Sequence, residues 1–249
     1  RMLAAAHWWD GLSVNRVQDN YVAQWGDADG EDPKKAKAVP VGLVAPSERE
    51  YSFVLDEIMP ASAARRISTA ADVEKLVVPD QEFAASFPKM LDAYAPSAFH
   101  HRGWPLAGDF ERYWPIHCYG AVGVGRGLSP DTGSGAELYA VIGHAPRHLD
   151  RNIAVVGRVI EGIEHLSSLP RGTEALGFYK TPAERTVITS IRMGGEVKDL
   201  PRYQYFSTES DSFARYADAR ANRRDAFFIK PAGGADICNI PVPVRRAKS

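Results

Sequence analysis

Between Leu12 and Gln24 apolar and polar side chains alternate loosely, and Val, Tyr and Gln dominate. That pattern predicts two short strands around a turn at Asp19-Asn20. Ahead of it, the helix formers Leu3 to Ala6 make MLAAAHWW read as the end of a helix, punctuated by Asp10-Gly11. From Asp27 the chain changes character: DADGEDPKKAKAVP is charged and rich in breakers, an exposed loop. Residues 70–94 carry Ala71, Val73, Leu76, Phe83, Phe87 and Leu91, a helix in pieces broken by Pro79 and Pro88. Residues 96–116 are rich in aromatics and prolines and show no clear period.

A second ordered block starts at His117. Ala121–Val124, Leu138–Ile142 and Ile153–Val159 are strand candidates, Ile160–Leu169 is an amphipathic helix, and Thr186–Met193 alternates as a last strand. Residues 207–222 are polar and predicted helical, and the tail from Pro231 is rich in Pro and Gly with a basic end. No internal repeat is visible. Strands dominate and helices are few, which favours a mainly β architecture, a barrel or an α+β fold.

Composition narrows this only modestly. The 249 residues suffice for one large domain or one domain with decorations. Apolar content of 45% and charged content of 24% are those of an ordinary soluble globular protein. A net charge of −1 offers no global field for nucleic acid. No stretch reaches the roughly 20 apolar residues of a spanning helix. Two cysteines, Cys118 and Cys238, exclude a disulfide-dense scaffold and a four-cysteine zinc site. A bridge between them and two separate buried thiols both stay open. The chain begins at Arg1 with no secretory apolar region in view, as though in the middle of a fold.

Several motif-like features fail their templates. Gly120, Gly123, Gly125 and Gly127 invite a phosphate loop, but Leu128 stands where GxGxxG needs glycine and no Gly-Lys-Ser/Thr follows. Close backbone packing in a strand or bulge is the better reading. His100-His101 and His117-Cys118 have no second pair at ligand spacing, and HExxH is missing, so no metal and no cofactor is expected. Ser134 between Gly133 and Gly135 reads as a turn serine, not a nucleophile elbow.

Two separated blocks carry a family resemblance. WDGLSVNRVQDNYVAQWGD, residues 9–27, resembles the cyclophilin segment Tyr-Asp-Gly, then Phe-His-Arg, then Phe-x-x-Gln-x-Gly-Asp, with Asp10, Gly11, Arg16, Gln24, Gly26 and Asp27 in register. Residues 117–195 hold YGAVGVGRG, then GSGAELYAVIGHAPRHLDRNIAVVGRVIEGIEHL, then TVITSIRMG. Leu149-Asp150-Arg151-Asn152 before Val-Val-Gly-Arg-Val is similar to the bacterial branch. The resemblance implies an eight-stranded antiparallel barrel with capping helices and its active face on the outside. The family's first strands would precede Arg1, so it also implies an upstream extension. It places a cyclophilin-like domain at 1–195, interrupted by a helical or loop insertion at about 28–114, and a C-terminal extension at 196–249.

The implied activity is peptidyl-prolyl cis-trans isomerisation in protein folding. By position, Arg16 is the catalytic donor and Gln24 the backbone-binding glutamine. Tyr21, Val22, Tyr139 and Leu149 form the proline pocket, with His148 beside it. Gly125 and Arg126 form the edge that pairs with the peptide. An isolated arginine would default to a solvated charge; the register around Arg16 makes it a site. Departures from the family are tyrosines for its pocket phenylalanines, Val22 for its methionine, Ala136-Glu137 for its Ser-Gln, and Ile153 for its His or Tyr. His148 stands where many eukaryotic members have tryptophan, which implies weak cyclosporin binding. The implied partners are proline-containing peptides and unfolded proteins, met by a monomer without nucleic acid or a membrane span. Decorated bacterial relatives imply the periplasm, with the cytoplasm as alternative. The competing reading is a non-catalytic cyclophilin-like binding or chaperone module. A hydrolase lacks any spaced nucleophile motif.

Overall fold

In the computed structural model of the chain, residues 1–54, 92–109 and 111–248 are described. In chain order the strands are β1 (Ser13–Val17), β2 (Val22–Gly26), β3 (Phe53–Val54), β4 (Ser97–His101), β5 (Trp104–Gly108) and β6 (Arg112–Pro115). They continue as β7 (Ala121–Val124), β8 (Leu138–Val141), β9 (Val155–Arg158), β10 (Thr186–Val187), β11 (Tyr203–Tyr205) and β12 (Val244–Arg246). Among the described residues the helices are α1 (Met2–Ala5), α2 (Ile163–Ser167) and α3 (Asp211–Ala221), with short 3-10 turns. The fold is mainly β. Two compact units result, Arg1–Tyr51 with His117–Arg202, and Ser52–Ile116 with Tyr203–Ser249.

The first unit is built on a six-stranded antiparallel sheet, in the order β10-β1-β2-β8-β7-β9. The alternation read in residues 12–24 appears as β1 and β2, with Asn20 at φ 51 in the turn, a left-handed conformation that Asn tolerates. The expected closure into an eight-stranded barrel is not seen among the described residues, where no ladder joins β10 to β9. Val187 and Val156 on those outer strands are 65% and 57% exposed, as outer edges should be.

One face of the sheet packs Val14, Val17, Ala23 and Ile142 with Tyr179, and the α2 segment adds Ile163 and Leu166. The opposite face carries Val22, Ala121, Tyr139 and Val141, with Leu149 and Ile153 against them. A third cluster, Leu3, Trp8 and Trp9, seals the α1 end.

β1 does not keep strict alternation. Val14 pairs with Trp25, yet Arg16 pairs with Gln24, so the register shifts by one residue between them. Asn15 is the extra residue of this bulge. Its buried carboxamide donates to the Gly26 carbonyl at 3.1 Å and accepts from the Ser13 hydroxyl at 2.7 Å. The shift puts Val14 on the first apolar face and Arg16 on the face of Gln24.

Local chemistry explains where elements fall short of the sequence pattern. The helix expected over Ile160–Leu169 shrinks to α2, because Gly162 takes a left-handed φ of 84 and starts it late. The strand expected over Thr186–Met193 keeps only β10. Beyond it the Ile191 N–H goes to the Asp10 carboxylate at 3.2 Å, and the Arg192 guanidinium meets the same carboxylate at 2.7 Å. The Asp10-Gly11 pair of the motif is thus a fastener for the chain's return: Gly11 N–H also donates to Ile188. Arg192 holds the Asp10 carboxyl well below the usual carboxylate range, at about 2.

The second unit departs most from expectation. The stretch read as a helical or loop insertion contains a four-stranded antiparallel sheet, in the order β3-β6-β5-β4. Leu106, Ala107 and Gly108 are buried in succession and Pro105 sits in the β4–β5 pairing, so no period of two survives to be read. The helix read over residues 70–94 lies outside the described residues but for its last three. Within this unit α3 forms as predicted, capped by Ser210, whose hydroxyl accepts from the Phe213 N–H at 3.1 Å. Phe213, Ala217 and Ala221, at helical spacing, pack on Ile240 and Val242. Among the described residues no helix is long and apolar enough to cross a membrane, and neither cysteine is a free thiol.

Replacing Asn15 by Ala strips the bulge of both its hydrogen bonds and leaves the buried Gly26 carbonyl short of a donor. A loss of about 1–3 kcal/mol is expected, measured as a lower denaturant midpoint with an unchanged slope; an unchanged midpoint would show that the bulge holds itself.

Candidate active site

Because of the Asn15 bulge, four positions line up across one face of the first unit's sheet. Arg16 pairs with Gln24, Gln24 with Tyr139, and Tyr139 with Gly123. Beside that row, on the same face, lies the apolar cluster of Val22 and Val141 with Leu149 and Ile153. A groove of about 610 Å³ opens over both.

Arg16 is half-buried and held on every side. Its Nε–H donates to the Leu176 carbonyl at 2.6 Å, one terminal nitrogen to Gln24 Oε1 at 3.0 Å, and the other to Gln18 Oε1. The rings of Tyr21 and Phe178 flank the guanidinium, 5.6 and 5.5 Å from its carbon. Leu176 accepts its bond from an unusual backbone, a left-handed φ of 59. Burial lowers the Arg16 pKa, against the pull of Tyr21 and Glu137; arginine nonetheless keeps its charge. A guanidinium has five N–H donors. Three are engaged, which leaves one on each terminal nitrogen for a ligand.

Gln24 is buried and connects Arg16 to Glu137. Its oxygen accepts from Arg16, and its nitrogen donates to Glu137 Oε2 at 2.6 Å. Burial raises the Glu137 pKa, and the nearby Glu31 and Asp27 raise it further. The Gln24 hydrogen bond and the Arg16 charge work the other way.

Tyr139 forms the floor of the groove. Its hydroxyl occupies the space where a Cβ on Gly123 would stand, 2.3 Å away, so the glycine is required for this ring. Behind it is a buried polar chain. His117 Nε2 lies 3.0 Å from the Tyr139 hydroxyl, His117 Nδ1 lies 2.9 Å from Asp150, and Arg147 Nε donates to Asp150 at 2.7 Å. The Asp150 carboxylate only accepts, so Nδ1 donates to it, and Nε2 of the neutral ring accepts from the tyrosine. The hydroxyl is thereby turned away from the apolar cluster. Burial pushes the Tyr139 phenol pKa up, keeping it a neutral donor.

At the groove's edge, the Gly125 N–H donates to the Glu137 carbonyl at 2.8 Å. Arg126 is pinned by its own guanidinium to the Asn152 and Gly127 carbonyls at 2.9 and 2.8 Å. Its backbone N–H has no hydrogen-bond partner among the described residues and is free for an incoming chain.

Of the nine residues nominated from the sequence, eight line this groove: Arg16, Tyr21, Val22, Gln24, Gly125, Arg126, Tyr139 and Leu149. His148 does not line it. Its exposed ring stacks on Tyr21, with centroids 6.0 Å apart. Sequence reasoning missed Phe178 and Leu176, which arrive from a segment with no motif and meet Arg16 through one isolated bridge between Arg16 and Phe178. It also treated Glu137 only as a departure. Its signal was there: two residues before Tyr139 in the same strand run, a carboxylate must face the same groove. Among the described residues no group of three His, Cys, Asp or Glu is arranged to hold a metal ion.

The family model described as cyclophilin type peptidyl-prolyl cis-trans isomerase/CLD matches residues 1–193. A crystal structure of the cyclophilin AquaCyp293 from Hirschia baltica is similar in fold, with a TM-score of 0.61 and 17% identity, covering 99% of this chain and 81% of that one. No curated protein matches the chain.

Glu137→Gln tests the electrostatics of the groove. A carboxyl whose pKa is raised on folding contributes stability that is present at low pH and lost as pH rises through its folded value. The glutamine variant carries no such loss and can still accept from Gln24. Its melting temperature should exceed that of wild type at pH 8, with the gap closing on acidification. A gap that widens toward acid would show that Glu137 is stabilised as a carboxylate instead.

Proposed function

Since the chain belongs to the cyclophilin-type peptidyl-prolyl cis-trans isomerase family, we propose that it catalyses rotation about Xaa-Pro bonds in peptides and unfolded proteins, with Arg16 donating to the prolyl nitrogen. The observation that carries the reading is a guanidinium fixed at three points beside an apolar pocket, with donors to spare.

Amide resonance sets a barrier of about 18–20 kcal/mol to this rotation, and the uncatalysed event takes on the order of tens to hundreds of seconds. No bond breaks, so the reaction calls for no nucleophile. As the C–N bond twists, its nitrogen loses resonance, becomes pyramidal and gains a lone pair. A charged donor already in place stabilises that state at no cost in reorganisation. Arg16 meets the requirement because Leu176, Gln18 and Gln24 orient its plane, and Tyr21 and Phe178 flank it.

Substrate binding divides along the groove. The proline ring rests on Val22, Tyr139 and Leu149, beside Tyr21. The second N–H of Gln24 is available to a peptide carbonyl, since only one is given to Glu137. The unpaired Arg126 N–H binds the peptide backbone at the edge, as a strand would.

In this reading the six-stranded sheet is the site-bearing wall of the family's eight-stranded barrel, and the protein acts as a monomer in the periplasm. The absence of a free thiol among the described residues fits an oxidising compartment, where disulfides persist.

Cis-to-trans isomerisation of a prolyl tetrapeptide tests the reading on the full chain. Wild type should exceed the buffer rate, and Arg16→Ala should lose about a hundredfold in kcat/KM. A wild-type rate equal to buffer would leave only a peptide-binding module. Full activity in Arg16→Ala would remove the role from Arg16.

A further inference from the structure

We propose that Glu137 makes the groove selective for peptides carrying a lysine or arginine about two residues from the isomerising proline. This rests on the isomerase reading and adds a substrate class to it.

The placement follows from strand geometry. Val141, Tyr139 and Glu137 face the same side at alternate positions, so Glu137 lies beyond Tyr139 on the side away from Val22 and Val141. Each strand residue advances about 3.3 Å, which puts Glu137 about 7 Å along from Tyr139. An extended peptide covers nearly the same distance per residue. With the proline ring over Tyr139 and Val22, the side chain two positions away therefore reaches Glu137.

The carboxylate is held there by shape. A Cβ on Gly26 would lie 3.0 Å from Glu137 Cγ, and one on Gly125 would lie 2.9 Å from Glu137 Cβ and 3.2 Å from Oε2. The side chain thus occupies a slot between two glycines. Gln24 binds Oε2, while Oε1 has no hydrogen-bond partner among the described residues.

Charge supplies the rest of the case. Three cationic side chains line the groove: Arg16, Lys37 and Arg126. Each is committed elsewhere. Arg16 is turned to Leu176, Gln18 and Gln24. The Lys37 ammonium donates to the Trp8 carbonyl and lies over its ring, and Arg126 is tied to Asn152 and Gly127. No ion pair to Glu137 exists among the described residues, and Asp27 and Glu31 add to the negative field at this end. A half-buried carboxylate with one open oxygen and no ion-pair partner among the described residues attracts an ammonium or guanidinium and repels an acidic side chain.

Two peptide sets decide it, one varying the residue two places before proline and the other the residue two places after, as Lys, Ala or Glu. Binding is read by fluorescence anisotropy and turnover as kcat/KM on the full chain. In at least one set, wild type should favour lysine over glutamate by about tenfold, through the charge interaction, and Glu137→Gln should bring that ratio close to one. Equal affinities in wild type, no binding of any peptide, or a preference that survives in Glu137→Gln would each overturn the proposal. Anisotropy needs no catalysis, so a lysine preference without turnover would remove the isomerase reading alone, and turnover without preference would remove this one alone.

Discussion

One extra residue in β1 decides which face of the sheet carries a charge. Without the bulge at Asn15, period-two alternation would place Arg16 on the face of Val14, among Ala23 and Ile142, and turn Val17 to the opposite face. A guanidinium there would be buried without a counter-ion, which is prohibitively costly. With the bulge, it crosses to the face of Gln24 and Tyr139, where carbonyls and carboxamides satisfy it. The bulge is affordable because Asn15 bonds both across the ladder and to its neighbour, so the interruption leaves its buried polar group paired. Site and core are therefore set by the same register shift.

Much of this was legible in the order of residues. Alternation over 12–24 was enough for β1 and β2, and the spacing of Asp10, Gly11, Arg16, Gln24, Gly26 and Asp27 singled out Arg16. The structure separates that motif into two jobs. Asp10 clasps Arg192 and Ile191, and Asp27 takes the backbone N–H groups of Asp29 and Lys37, so the two ends of the motif are fasteners. Between them Arg16 and Gln24 meet across the sheet under the groove, while Asp27 lines its far end. Phe178 and Leu176 were invisible because their role comes from one long-range bridge, which leaves no local period. The β4, β5 and β6 sheet was invisible for a different reason: burial of consecutive residues and prolines within the pairing erase the alternation by which strands are read.

The unusual pocket residues also prove coherent as a group. A tyrosine in the groove floor brings a hydroxyl that an apolar seat would leave unsatisfied. Gly123 makes room for it, His117 receives it, and Asp150 with Arg147 fixes the histidine. Each substitution would be a defect alone; together they keep this part of the groove apolar. The cost is a fully buried polar chain in which loss of any member strands the others.

The same reasoning applies to Glu137, and it ties the departure back to Arg16. A glutamine at that position could present either an oxygen or a nitrogen to Gln24. A carboxylate can only accept. Gln24 must therefore turn its nitrogen toward Glu137, and its oxygen is obliged to face Arg16. The guanidinium gains an acceptor that cannot flip away, which fixes the plane in which its two remaining donors point. An acidic residue two positions along from the groove floor thus does more than set the local charge: it demands the carboxamide nitrogen at one end just as the donor-only guanidinium demands the oxygen at the other, so both neighbours hold Gln24 the same way round.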